Sequence, residues 1–426
     1  MARFVRFSDK FLDDLREEVD LPALVAEEIK LRRSGGNFVA RCPFHEEKSP
    51  SFHVSATRNT FRCYGCPARG DAIEWVMRRQ HKSFHEAVLY LAHRFGIELP
   101  PAEEESPDDQ QRRKRLARLY QALNEVGRVY VRGLKKNPAG LRYLVDTRGF
   151  TESSVELFGI GAVASGVLPF LKGFSDQELI DAGIAAVDSA GERVYDRFRN
   201  RIMFPIHNES GNLVGFAGRT ILENPGKAPK YLNCPETDLF HKGRELYGLH
   251  IAKTAIRKDR LAVVGEGYFD VIRAHQEGDP RVVAPMGTAL TAVQMKRLLL
   301  HADTVVFAFD GDRAGRRAAL SAAAILLETM KDGQTGKFLF LPAGHDPDSF
   351  IRAEGIQAWL EQVESAVPLS QFLSDYVVHR LDRSLPESQV NAAARASAIL
   401  SRLQKALVFR HALRLRFEEL IGVPLG

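Results

Sequence analysis

Apolar residues recur at three- and four-residue intervals over residues 8–19, and Ser8 stands where a helix N-cap belongs; the spacing predicts a capped helix. The same period returns over 21–31, 72–77, 84–95 and 116–134. Between about 140 and 259 the pattern shortens into strands broken by Gly and Pro. There, 202–206 and 213–217 read as two strands joined by the turn Asn-Glu-Ser-Gly-Asn at 208–212. From about 260, short apolar runs at 261–264, 281–284, 304–309 and 337–341 alternate with helical segments at 268–276, 291–300 and 313–330. That alternation predicts a parallel sheet covered by helices. Beyond 350 the chain is rich in Ala, Leu and Arg and reads as helical.

These changes of pattern divide the chain into five stretches: 1–99, 100–113, 114–259, 260–349 and 350–426. The second carries Pro100, Pro101 and Pro107 in an acidic, polar run and reads as a flexible linker. No internal repeat is visible. No apolar run approaches the ~18 residues a membrane helix needs; the most apolar, 318–327, is interrupted by Ser321. The N-terminal residues lack the apolar core of a secretory signal. The expectation is a cytoplasmic protein with no membrane partner.

Charge sharpens this picture. The 426 residues carry 59 Lys and Arg against 54 Asp and Glu, a net charge of +5. Residues 193–260 alone hold 13 Lys and Arg against 7 Asp and Glu, more than the whole excess. A local basic surface points to a polyanion, most simply nucleic acid, with a solvated charged face as the plain alternative.

Three of the four cysteines fall between residues 42 and 66. Cys42-Pro-Phe-His45 and Cys63-Tyr-Gly-Cys66 are two knuckles that each supply two ligands from a tight turn. Together Cys42, His45, Cys63 and Cys66 make a Cys₃His set suited to tetrahedral Zn²⁺, and four protein ligands make the zinc structural. The alternative is a group of ordinary buried thiols. Phe38, Phe44, Phe52, Phe61 and Trp75 read mainly as a small core around the metal. Tyr64, Arg58 and Arg62 are better placed to touch single-stranded nucleic acid. Cys234 stands alone and reads as an inert thiol.

Three acidic groups follow expected strands: Glu266 with Asp270, Asp310 with Asp312, and Asp346 with Asp348. In a parallel α/β sheet ligands bind beyond the carboxyl ends of the strands, so the three groups are expected on one edge. Clustered carboxylates repel unless cations neutralise them, and hard oxygen ligands favour Mg²⁺ or Mn²⁺. Such sites serve phosphoryl transfer. Taken singly, each motif also fits a surface turn or helix cap.

These residues resemble bacterial DNA primases of the DnaG type. The run CPFHEEKSPSF with CYGC is similar to that family's zinc motif, and KYLNCPETDLFHKGRELYGL at 230–249 is similar to its most specific basic motif. RFRNRIMFPI (197–206) and GFAGR (215–219) resemble its other basic motif, and the acidic groups resemble a TOPRIM domain. The resemblance covers essentially the whole chain. It implies a multidomain α+β fold: a zinc-ribbon domain (1–99), a linker (100–113) and a mixed α+β basic subdomain (114–259). An α/β TOPRIM domain with a parallel sheet (260–349) and a C-terminal helical bundle (350–426) complete it.

The implied activity is synthesis of short RNA primers on single-stranded DNA from ribonucleoside triphosphates. By motif, Glu266, Asp310 and Asp312 would hold two or more catalytic Mg²⁺ or Mn²⁺, and Asp270, Asp346 and Asp348 would support metal and triphosphate binding. Arg148, Arg199, Arg201, Arg219, Lys230, Asn233 and Lys242 would line the groove for template and nucleotide phosphates. The family's C-terminal helicase-binding domain is expected beyond Gly426, which makes the replicative helicase a partner of that part; single-strand-binding protein is a further candidate partner. One departure is Gly265, where the family usually has a bulkier residue. The rival readings are a TOPRIM nuclease or topoisomerase, and a non-enzymatic zinc protein that binds single-stranded DNA.

Overall fold

The computed structural model describes residues 7–66, 68–80, 82–100, 107–222, 228–287, 289–309 and 313–425. The chain divides into two compact units, Met1–Gln111 and Arg112–Gly426. Among the described residues, no helix is long and apolar enough to cross a membrane.

In the first unit the Ser8 hydroxyl accepts from the Phe11 N–H at 3.2 Å and opens α1 (Asp9–Glu18). The next helix, α2 (Leu21–Ala26), is shorter than the spacing over 21–31 implies. Leu21, Leu24 and Val25 complete its buried face, and Ile29 and Leu31 reach the core from the turn that follows. Five strands follow: β1 (Arg32–Ser34), β2 (Asn37–Ala40), β3 (Phe52–Ser55), β4 (Thr60–Cys63) and β5 (Arg69–Gly70). They pair in chain order as an antiparallel sheet. Alternation in β4 sends Phe61 and Cys63 inward and Arg62 outward. Two helices, α3 (Ala72–Gln80) and α4 (Phe84–Phe95), close the core; α4 starts on a Ser83–Glu86 capping box and stops at Gly96.

The expected linker 100–113 needs correction. Residues 101–106 lie outside the described residues, but 107–113 are the first turns of α5 (Pro107–Lys135). Pro107 suits a first helical position, and Asp108 and Asp109 complement the helix N-terminus, so the composition taken for a linker is also that of a helix start. After it come α6 (Pro138–Arg142), which widens into a π-turn at Tyr143–Thr147, then α7 (Glu152–Leu157), β6 (Gly161–Val163), α8 (Asp176–Asp181), and the hairpin β7 (Ala185–Val187) and β8 (Val194–Asp196). The expected pair of strands is β9 (Arg201–His207) and β10 (Leu213–Thr220), joined at 208–212, where Gly211 takes φ +86°.

With β11 (Tyr231–Asn233) these form an antiparallel sheet in the order β11-β10-β9-β6. Residues of β9 and β10 are buried almost throughout because both faces are covered. On one face Tyr130 of α5 meets the Phe216 ring edge-on at 4.9 Å. Gly133 and Gly161 allow α5 to lie this close: a Cβ on Gly133 would come 2.3 Å from the Ala162 carbonyl oxygen, and one on Gly161 2.5 Å from the Tyr130 backbone.

The alternating region supplies α9 (Leu249–Asp259), β12 (Leu261–Val264), α10 (Tyr268–Glu277), β13 (Val282–Val283), α11 (Ala292–His301), β14 (Thr304–Phe309), α12 (Arg313–Thr329) and β15 (Thr335–Phe340). After it come α13 (Pro347–Ser365), β16 (Val367–Pro368), α14 (Leu369–Val378), α15 (Pro386–Leu400) and α16 (Leu407–Ile421). The sheet order is β13-β12-β14-β15-β16. The first four strands are parallel, as expected, and β16 is antiparallel. α13 starts at Pro347 and breaks at Gly355 (φ +83°), and the region beyond 350, read as purely helical, also returns a strand, β16, to the sheet. The Phe204 ring of β9 stacks on Tyr268 of α10 at 5.2 Å, which joins the antiparallel sheet to the parallel one.

Candidate active site and metal centre

The ligand atoms of Cys42, His45, Cys63 and Cys66 all lie within 4.8 Å of one another. The Cys42 and Cys66 sulfurs are 3.7 Å apart, and His45 Nδ1 is 3.9 Å from Cys63 Sγ. Backbone N–H groups of Gly65 and Cys66 donate to Cys63 Sγ at 3.2 and 3.3 Å, and that of Phe44 to Cys42 Sγ at 3.4 Å. Burial pushes the Cys42 thiol up to about 12, so its thiolate needs a cation beside it. A closed set of three sulfurs and one imidazole fits zinc.

Two further residues serve this centre, and ligand spacing marks neither. Glu47 accepts from the Cys42 N–H at 2.6 Å and from the Ser51 hydroxyl at 2.5 Å, and stands 3.4 Å from His45 Nε2. It thereby orients the imidazole whose other nitrogen faces the sulfurs. Ser51 also lies 3.1 Å from Cys63 Sγ. The signal was present in CPFHEEKSPSF, where both residues stand. Behind the cluster, Phe44, Phe52, Phe61 and Trp75 are in mutual ring contact at 5.2–6.1 Å and form the core. Tyr64 is exposed, with the Arg62 guanidinium 5.1 Å from its ring centre.

In the second unit the acidic loops leave the carboxyl ends of β12 and β15. Asp270 accepts from the N–H groups of Glu266 and Gly267 at 3.0 and 2.8 Å, which folds the Glu266 loop onto the start of α10. It also accepts from the Asp348 N–H at 3.3 Å, which binds the loop after β12 to the loop after β15. Burial, then the neighbouring Asp346, push the Asp270 carboxyl up to about 7 against these three donors. Gly265 leaves room for this packing; a Cβ there would stand 3.1 Å from Asp270 Cβ. Asp346 caps α13 by accepting from the Ser349 N–H at 2.8 Å. Asp310 and Asp312 lie outside the described residues. The strand that leads to them, β14, runs between β12 and β15.

Asp348 is buried and divided between two guanidiniums: Arg273 Nε donates to Oδ1 at 3.0 Å and Arg148 Nη1 to Oδ2 at 3.1 Å. Arg148 lies over the Phe269 ring at 4.4 Å, and Arg219 over the same ring at 4.8 Å. Arg219 also donates to Tyr231 Oη at 2.6 Å. Two arginines expected to line the phosphate groove, Arg148 and Arg219, are thus seated on an aromatic bed of Phe269, Tyr143 and Tyr231 beside the acidic loops. That bed was not anticipated.

The other basic residues separate. Arg201 lies on the opposite face of the sheet, in the space left by Gly218. It is buried and donates to the carbonyls of Gly218 and Pro229 at 3.1 and 2.9 Å, so it braces the sheet end. Asn233 donates to the Met286 carbonyl at 2.9 Å and accepts from Tyr268 Oη at 2.8 Å. Arg199 and Lys230 are exposed and Lys242 half-buried. Cys234 is buried, and burial pushes its thiol up to about 12, which leaves it protonated at neutral pH and unfit as a nucleophile.

Comparison with known proteins gives the family. Residues 7–107 match the CHC2 zinc finger family, 129–253 the N-terminal domain of the DNA primase catalytic core, and 263–351 a Toprim-like domain. A DNA primase of Neisseria meningitidis serogroup A is 38% identical over 421 residues, covering 97% of this chain and 70% of the relative. That of Escherichia coli K12 is 37% identical over 422 residues, covering 98% and 71%. Among solved structures, the zinc-binding and RNA polymerase domains of the Aquifex aeolicus primase superpose with TM-score 0.63 at 33% identity, covering 97% of each chain. A DnaG primase catalytic domain bound to single-stranded DNA gives 0.67 at 36% identity, covering 74% of this chain and 98% of that one. A zinc ribbon, a primase catalytic-core N-terminal domain and a Toprim-like domain matched in this order between residues 7 and 351, with primase relatives that match nearly the whole chain, place it in the family of bacterial DNA primases of the DnaG type.

Proposed function

We infer that this chain synthesises short RNA primers de novo on single-stranded DNA by nucleotidyl transfer. The observation that carries the mechanism is the closure of the β12 and β15 loops on each other through Asp270 and Asp348, next to Arg148 and Arg219. Carboxylates and arginines side by side at one edge of the sheet, where an α/β fold takes its ligands, support the reading.

Glu266, Asp310 and Asp312 would hold divalent metal, Mg²⁺ or Mn²⁺, and oxygen donors from loops at strand ends suit such ions. When bound, the metals lower the pKa of the attacking 3′-hydroxyl and stabilise charge on the α-phosphate. The remaining work falls to the protein. Asp270 anchors the Glu266 loop to α10 and so sets where that carboxylate stands. Arg148 and Arg219, held on aromatic rings, present cations to phosphate oxygens. Exposed Arg199 and Lys230, with Lys242, track template phosphates. The 3′-hydroxyl of one nucleotide gives up its proton to solvent as its oxygen bonds to the α-phosphorus of the next, the α–β phosphoanhydride bond breaks, and pyrophosphate leaves. The zinc unit would engage the template during initiation. The helicase would join through a domain outside this chain, and the work is done in the cytoplasm at the nucleoid.

The test is primer synthesis from labelled ribonucleoside triphosphates on single-stranded DNA with Mg²⁺ or Mn²⁺ and no added primer. Short RNA products that vanish in Glu266→Gln are expected. No product, with nicking of supercoiled DNA instead, would favour a nuclease or topoisomerase.

A further inference from the structure

Arg273 belongs to none of the motifs above, yet its side chain is only 4% exposed and makes four hydrogen bonds. It sits one turn after Asp270 on α10, so the two share a helix face. Nε donates to Asp348 Oδ1 at 3.0 Å. Nη1 donates to the Gly149 carbonyl at 3.2 Å and to Glu277 Oε1 at 3.0 Å, and Nη2 donates to the Arg148 carbonyl. The guanidinium lies 4.9 Å from the Phe150 ring centre. Arg273 therefore holds Arg148 twice. It grips the main chain at Arg148, and it shares with the Arg148 side chain the two oxygens of Asp348.

The charges give this arrangement a purpose. One buried carboxylate stands between two guanidiniums. Arg273, at 4% exposure, meets Asp348 on its buried side and Glu277, 39% exposed, on its outer side, which leaves Arg148, at 23%, as the more open guanidinium for an incoming anion. Without Arg273, Asp348 would neutralise Arg148 instead, and a buried carboxylate with a single partner would draw that arginine inward. We propose that Arg273 is a positioning residue that keeps Arg148 in place, and its charge available, for a phosphate of the template or of the incoming nucleotide. The assignment rests on the reading of this edge of the sheet as the phosphate-binding site.

The experiment compares Arg273→Gln and Arg273→Lys in the full chain, each with Arg148 intact and with Arg148→Ala. Single-stranded DNA affinity is read by fluorescence anisotropy across a salt series, and the nucleotide KM by primer synthesis. With Arg148 intact, Arg273→Gln is expected to weaken one of the two by about tenfold, the loss of one charge-assisted contact. If the phosphate is the template's, the slope of log affinity against log salt shrinks by about 0.7. If it is the nucleotide's, KM rises and the DNA slope stays. Arg273→Lys, which keeps the charge, recovers most of the loss. In the Arg148→Ala background neither substitution has a further effect, because the group it acts through is gone. Unchanged affinity and KM in Arg273→Gln would overturn the proposal, as would an equal loss with and without Arg148. If the Gln variant does not fold, Arg273→Met, which keeps the apolar stem without the charge, decides by the same comparison in the two backgrounds. Absence of primer synthesis in the unmodified chain would count against the proposed function and leave the anisotropy comparison intact.

Discussion

Tyr268 Oη donates to Asn233 Oδ1 at 2.8 Å, and Asn233 Nδ2 donates in turn to the Met286 carbonyl at 2.9 Å. One amide thus ties β11 of the antiparallel sheet to the first residue of α10 and to the loop after β13. Tyr268→Phe removes one bond and is expected to cost about 1 kcal/mol. Asn233→Leu strands a buried hydroxyl and a carbonyl, and about 2–4 kcal/mol is expected. Calorimetry of the full chain would rank them; equal melting temperatures for both variants would contradict the shared role of Asn233.

At the zinc centre the sharpest test is a methyl group. A Cβ at Gly65 would lie 2.7 Å from His45 Nε2 and 2.9 Å from Ser51 Oγ. Gly65→Ala is expected to weaken zinc binding by at least about tenfold through the displaced imidazole and its Glu47 partner. Cys63→Ser should lose the metal outright. Elemental analysis after mild chelation reads both, and full zinc content in Cys63→Ser would remove that residue from the ligand set.

Asp310→Asn takes one charge from the acidic edge without changing its size. Synthesis is expected to fall by at least about 100-fold, with single-stranded DNA affinity within about twofold. Product formation at normal Mg²⁺ levels would exclude Asp310 from metal binding.

Lys230 is exposed beside the end of β10, where its carbonyl accepts from the Thr220 N–H at 3.1 Å. Replacement by Ala is expected to weaken template binding, reduce the salt slope by about 0.7, and leave the melting temperature unchanged. An unaltered salt slope would show that Lys230 meets no template phosphate.

The rings of His207 and His250 lie 4.3 Å apart, tilted by 32°, and neither Nδ1 has a hydrogen-bond partner among the described residues. Burial lowers both, His250 from 6.5 to about 4. Between those values the unfolded chain binds a proton that the folded pair refuses, so stability falls as pH drops from 6.5 toward 4. His207→Gln/His250→Gln should flatten that part of a melting-temperature profile relative to the unmodified chain. Parallel profiles would show that the pair does not set it.

Much of this architecture is legible in the residues because period and spacing carry it. The strands β9 and β10 were marked by their apolar runs and the Gly211 turn, and the Cys₃His set by its two knuckles. The remainder depends on which way a side chain points once strands pair. Arg201 and Arg219 look equivalent as charges in a basic segment. Alternation across the β9–β10 register puts Arg219 on the aromatic bed and Arg201 behind the sheet, bonded to carbonyls. Similarly, Asp348 reads as a metal-site carboxylate, but its oxygens are occupied by Arg148 and Arg273, residues 200 and 75 positions away. β16, two residues long, has no periodicity to detect and exists only because β15 offers it an edge.

That short strand has a bearing on how the protein behaves in a crowded cell. A parallel sheet presents rows of unpaired amide groups at both borders, which invite another chain to add on. Here one border is β16, whose Pro368 has no N–H to offer, and the other is the two-residue β13, next to which Tyr247 pairs with Ala284. Both borders of the sheet are thus too short to template a neighbour. Restoring an amide at the β16 border, as in Pro368→Val, would be expected to cost solubility before it cost activity.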